Sequence, residues 1–142
     1  MLHIKKIKPL FTNILVTGNK YEKDVKENGL IVEKAGELKL YQTVIAVGPM
    51  VRGIEVGDTI MFNPKSYEIK QYDPNSVKED MGMNKVIRYK LPWVTVYDEE
   101  DKPQDCLLLT DRDIEFVYEG KEVTPDSSES KLIIPKEKKI IV

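Results

Sequence analysis

Three carboxylates at alternate positions are the first residues in this sequence with a spacing that could do chemistry. Asp111, Asp113 and Glu115 lie in a stretch of strand-like composition, and alternation along a strand would bring all three to one face, as a hard cation such as calcium requires. The same pattern is the ordinary one for a solvated strand face, so no metal is expected. His3 is the only histidine in the chain, which leaves neither a zinc cluster nor a histidine-dependent triad to assemble. Cys106 is the only cysteine. An internal disulfide is thereby excluded, which fits a reducing compartment, and the adjoining Leu107-Leu108-Leu109 marks the thiol as buried rather than nucleophilic. The glycine patterns that cradle phosphates are absent, so a nucleotide has no usual site. Trp93, Tyr67, Tyr72 and Tyr89 could form a recognition surface, but aromatic residues in β structure more commonly fill a core. No catalytic set emerges and no cofactor is implied. The expectation is a binding protein rather than an enzyme.

The composition sets the frame for that expectation. A chain of 142 residues with 41% hydrophobic and 32% charged content is of ordinary size for one domain with a single core. Its formal charge of −2 gives no general attraction for nucleic acid. No apolar run approaches the roughly 18 residues of a membrane span, and the lysines at 5, 6 and 8 precede no signal-like stretch. A soluble, cytoplasmic protein is expected.

The elements that must position any site are short. β-branched and aliphatic runs recur between turn residues, among them Ile14-Leu15-Val16, Leu30-Ile31-Val32, Thr43-Val44-Ile45-Ala46-Val47, Thr59-Ile60-Met61-Phe62, Trp93-Val94-Thr95-Val96-Tyr97, Cys106-Leu107-Leu108-Leu109 and Ile114-Glu115-Phe116-Val117. No window sustains a helical period, so the pattern predicts an all-β barrel or sandwich. Asp98 to Asp105 is polar and contains Pro103, which suits a hairpin connection. Two regions depart from the rhythm. Residues 17–28 offer almost nothing to bury and form a mobile-loop candidate, in which Tyr21 reads as an incidental exposed aromatic. Beyond about residue 119 the chain turns polar and then ends in Leu132-Ile133-Ile134 and Ile140-Ile141-Val142, the pattern of a linker and a docking tail. By pattern alone, Leu30-Ile31-Val32 is either the end of the polar loop or a core strand, the second arm of a long hairpin from Ile14-Leu15-Val16.

Three stretches, taken in order, resemble the co-chaperonin (GroES, chaperonin-10) family: Ile7-Lys8-Pro9-Leu10 leading into Ile14-Leu15-Val16, then Val44-Ile45-Ala46-Val47-Gly48, then Val56-Gly57-Asp58-Thr59-Ile60-Met61-Phe62-Asn63. Leu107 to Ile114 is similar to the family's closing strands. The likeness covers roughly residues 4–63 and 93–118. It departs from the family where a roof hairpin is usual, since only Pro49 to Glu55 intervenes between the second and third stretches, and in an insertion at about 64–92 and the extension after 119.

The resemblance implies a diverged member, of the kind that phages encode: a GroES-like, partly open β-barrel over residues 1–118, with a mobile loop at about 17–33, the insertion, and a C-terminal extension over 119–142. It implies a co-chaperonin that caps a chaperonin ring and assists protein folding, with Gly29, Leu30, Ile31 and Val32 engaging the apical domains of a GroEL-type partner. It further implies a homo-heptamer whose interface joins Ile4 and Ile7 of one subunit to Ile114, Phe116 and Val117 of the next. A flexible loop loses part of its contact energy to ordering, and several linked loops recover affinity through effective concentration. The rival expectation is a structural protein, such as a phage capsid auxiliary or decoration subunit, found in the virion and using the same barrel to grip neighbours by strand addition.

Overall fold

The computed structural model describes residues 1–72 and 85–123. The expected tail strands at 132–134 and 140–142 and the middle of the 64–92 insertion lie outside the described residues. The protein is all-β. Its strands are β1 (Asn13–Thr17), β2 (Val25–Glu27), β3 (Leu30–Glu33), β4 (Tyr41–Val47), β5 (Thr59–Phe62), β6 (Glu68–Tyr72), β7 (Lys85–Tyr89), β8 (Trp93–Tyr97), β9 (Pro103–Thr110) and β10 (Ile114–Tyr118).

Six of these form one sheet in the order β10-β5-β4-β1-β9-β8, every neighbouring pair antiparallel. β1 lies inside it, between β4 and β9, and its Ile14, Leu15 and Val16 are all buried. Successive strand residues point to opposite faces, so both faces of β1 are covered, and the run is accordingly apolar without alternation. Val44, Ile60, Phe62, Cys106, Leu107 and Leu109 complete the core. Leu30-Ile31-Val32 is not the second arm of a hairpin from β1, because β1 pairs with β4 and β9.

Two irregularities bend the sheet. Opposite Leu15 and Val16, β4 carries an extra residue, Ile45, and opposite β5 the strand β10 carries an extra Glu115. Such bulges raise the local twist and curl a sheet. A buried amide sits within this curl. Gln42 is only 3% exposed; its Oε1 accepts from the Thr17 hydroxyl at 2.8 Å, and that hydroxyl accepts from the Thr43 N–H at 3.0 Å. Burying an amide is tolerated when its hydrogen bonds are made inside.

The carboxylates of the β9–β10 connection do not line a strand face. Asp111–Asp113 is a 3-10 turn. Asp113 is buried, and its Oδ2 accepts from the Tyr67 hydroxyl at 2.6 Å, the Thr110 N–H at 3.1 Å and the Thr110 hydroxyl at 3.2 Å. Burial and the neighbouring carboxylate push the Tyr67 phenol well above its ordinary range. Asp113 thus pins the turn that feeds β10. Tyr67 ends the 3-10 turn Pro64–Tyr67, which leads into the two-stranded pair β6–β7.

Between β4 and β5 the segment from Gly48 to Asp58 contains no strand. It closes instead on hydrogen bonds between Val44 and Asp58 (2.8 Å) and between Gly57 and Val44 (2.9 Å). Chain compactness separates Met1–Gly18 with Leu40–Tyr118 from a second unit, Asn19–Lys39 with the described residues after Tyr118.

Candidate functional site

The second unit shows why the polar stretch after Gly18 need not be featureless. β2 and β3 pair antiparallel, Glu27 opposite Leu30 and Lys26 opposite Ile31. They are joined by Asn28 and Gly29, both left-handed at φ 55° and 82°. Two consecutive left-handed residues make the hairpin turn whose twist matches that of its strands, and asparagine followed by glycine is the pair that adopts it at least cost. Val25 lies opposite Glu33, so Val32 is an extra residue in β3 and the alternation is broken inside the triplet. The pair forms a two-stranded sheet of its own, and all three side chains are exposed: Leu30 at 71%, Ile31 at 47% and Val32 at 48%.

The hairpin has a built base. Lys20 and Leu38 form an antiparallel bridge. Tyr21 N–H donates to Glu37 O at 2.8 Å, Gly36 N–H to Tyr21 O at 2.7 Å and Lys39 N–H to Asn19 O at 3.1 Å. Asp24 Oδ1 accepts from the Ala35 N–H at 2.7 Å. Lys39 places its ammonium 5.4 Å above the Tyr21 ring and 3.2 Å from Glu122 Oε1. Tyr21 is therefore part of this base rather than incidental. Glu33, directly after the triplet, has its carboxyl raised above the ordinary value, first by burial and then by hydrogen bonding and repulsion from Glu37.

Three adjoining aliphatic side chains face water, surrounded by Lys23, Asp24, Lys26, Glu27, Glu33 and Lys34. An apolar tip on a charged stalk suits an apolar groove, with charges keeping the free hairpin soluble.

The remaining site residues fall at the two ends of the large sheet. Ile114, Phe116 and Val117 lie on β10, the terminal strand beside β5, with Phe116 and Val117 exposed. Ile4 forms a parallel bridge with Val96 on β8, the terminal strand at the other end, and its carbonyl accepts from the Tyr97 N–H at 2.8 Å. Ile7 is half-buried. Within one chain the structure does not bring Ile4 and Ile7 against β10.

Several residues carry structural duties that sequence reasoning missed. Gly18 is packed: a methyl there would meet Trp93 Cζ3 at 2.4 Å and Asp105 O at 3.0 Å. Trp93 and Tyr89 are 41% and 49% exposed, not core. Phe11 holds a left-handed φ of 56° and is exposed beside Leu10 and Met50; no local sequence signal marks a phenylalanine for that conformation. The tip turn did have a signal, the Asn28-Gly29 pair. Cys106 is buried, and burial followed by the charge of Asp105 raises its thiol. Among the described residues no group of three histidine, cysteine or acidic side chains could hold a metal ion, and no helix is long and apolar enough to cross a membrane. Neither a family model nor a curated protein matches the chain.

Proposed function

We propose that this protein is a co-chaperonin of the GroES type, a ring-forming cap that engages the apical domains of a GroEL-type chaperonin through the β2–β3 hairpin. The observation that carries the reading is the exposure of Leu30, Ile31 and Val32 together at the tip of a hairpin that has its own base. A strand run this apolar is ordinarily buried; exposed on three successive residues, it marks a contact surface. Gly29 sets the turn, and the three aliphatic residues are the anchors.

Ring formation is supported by the sheet ends. β10 and the Ile4–β8 edge are different surfaces, so copies joined edge to edge meet head to tail, the arrangement that closes into rings. Ile4 and Ile7 of one subunit would then meet Ile114, Phe116 and Val117 of the next. Joining edges in this way also removes two open strand edges from solvent. The resemblance in residues 4–63 and 93–118 sets the expected number at seven.

The test is to mix the purified protein with a GroEL-type chaperonin, with and without nucleotide, and to measure co-sedimentation. A nucleotide-dependent complex is expected. A ring that forms but never binds would return the protein to the structural class, a capsid auxiliary or decoration subunit; a monomer that never binds would remove both assignments.

A further inference from the structure

The β2–β3 hairpin stands as a two-stranded sheet, so β3 has a strand along one edge and, among the described residues, none along the other. An open strand edge is a row of backbone donors and acceptors that another strand can join. This one also carries the exposed Leu30, Ile31 and Val32, and it ends on Glu33 beside the carboxyl of Glu37. The occupant that fits it is a short extended segment, apolar over three residues and positively charged at one end.

The chain carries such a segment after β10. Lys131-Leu132-Ile133-Ile134 is followed by Pro135, which has no N–H to donate and so ends a strand. The route to the hairpin is fixed at its start: Lys39, in the hairpin's base, holds Glu122 with Nζ 3.2 Å from Oε1. Ile134 lies twelve residues beyond Glu122, up to about 40 Å in an extended chain, whereas the nine residues from Lys39 back to Leu30 span no more than about 30 Å. The tail therefore reaches the tip with slack. Its direction follows as well. A chain leaving the base runs toward the tip, opposite in sense to β3, which runs from Leu30 at the tip to Glu33 nearer the base.

We propose that the outer edge of β3 is the docking site for residues 131–134 of the same chain, which add to the hairpin as a third, antiparallel strand. In this register Ile134 stands opposite Leu30, Ile133 opposite Ile31, Leu132 opposite Val32 and Lys131 opposite Glu33. Each apolar residue meets an apolar one, and the single lysine meets the single glutamate. Pro135 falls beside Gly29, where the hairpin turns and pairing ends. A parallel register would set Pro135 against Glu33 and Lys131 against Gly29, losing both matches. Docking covers three side chains that face water and closes an open edge. It is defined within one chain and stands without the chaperonin reading. Only its consequence rests on that reading: in a co-chaperonin the tail is a self-cap that the apical groove must displace.

The experiment places cysteines across this register in the full chain, whose own Cys106 is buried, and follows disulfide formation by non-reducing electrophoresis with no chaperonin present. Ile31→Cys with Ile133→Cys should cross-link within one chain, at a rate independent of protein concentration and about ten-fold faster than Ile31→Cys with Ile141→Cys. Adding Lys131→Glu should slow the reaction about two- to five-fold, and adding Glu33→Lys to that should restore it. Cross-links between chains would assign the edge to a second copy, and no cross-link at either position would leave it to a partner protein; both overturn the proposal. Equal rates at 133 and 141, or a charge reversal without effect, overturn it too. In the unmodified chain, NMR contacts between the Ile133 and Ile31 methyl groups are expected, and their absence overturns the docking whether or not the cysteine variants fold. None of these results bears on chaperonin binding, which is measured separately.

Discussion

Ile31→Asp separates binding from folding because of what stands opposite it. Ile31 is paired with Lys26 across the β2–β3 hairpin, so the new carboxylate gains an opposite charge as its cross-strand neighbour. Such pairs contribute roughly 0.2–1 kcal/mol in a sheet's favour. The hairpin should therefore survive, and because Ile31 is 47% exposed, little core burial is lost. Binding is affected differently. About half of the side chain remains to be buried by a partner, worth roughly 1 kcal/mol. A carboxylate forced into the same apolar groove adds a desolvation cost of at least about 2 kcal/mol. The sum, about 3 kcal/mol, corresponds to roughly a hundred-fold weaker contact per site, compounded when several hairpins bind at once. The assay is sedimentation with a GroEL-type chaperonin and nucleotide, with thermal melting of the free protein beside it. A melting temperature unchanged within about 2 °C with binding lost is the expected result. Unchanged binding would refute the role of the triplet, and a large fall in melting temperature would refute its exposure. Leu30→Asp is the instructive contrast: it faces Glu27, so like charges should loosen the hairpin as well.

Gly48→Ala would place a methyl 2.2 Å from the Phe11 carbonyl oxygen. It should disturb the Gly48 N–H to Asn13 O and Met50 N–H to Phe11 O bonds, costing about 2–3 kcal/mol and lowering the melting temperature by roughly 6–12 °C. Tyr67→Phe removes one of three hydrogen bonds to the buried Asp113 and should cost about 1–2 kcal/mol by denaturant titration; a neutral result would mean that water replaces the hydroxyl. Glu33 has a raised carboxyl value in the folded hairpin, so the folded form binds the proton more tightly. Its contribution is present at low pH and lost as pH rises through the carboxylate range. Amide protection at Ile31 should fall across that range, and Glu33→Gln should flatten the dependence.

Local chemistry determined much of this protein. The apolar runs at 14–16, 43–47, 59–62, 93–97, 106–109 and 114–117 became β1, β4, β5, β8, β9 and β10, because side-chain burial and β-branching act over a few residues. Burial of Cys106 followed from the leucines beside it. Asn28-Gly29 encoded a tight turn for the same local reason, and recognising that pair would have put β2 and β3 inside the polar stretch. What the run Leu30-Ile31-Val32 could not carry was its surroundings. Apolar composition makes a strand, but whether that strand is covered depends on segments distant in sequence, and here the places beside β1 are taken by β4 and β9. The same limit explains Asp113, which looked like one of three solvated carboxylates until Tyr67, 46 residues away, closed over it. Gly48 against Phe11 and Gly18 against Trp93 are contacts between chain segments that only the folded backbone brings together. Composition and turn chemistry set which segments extend and where they reverse; tertiary packing alone decided which apolar residues were covered and which, Leu30, Ile31 and Val32 among them, were left facing water.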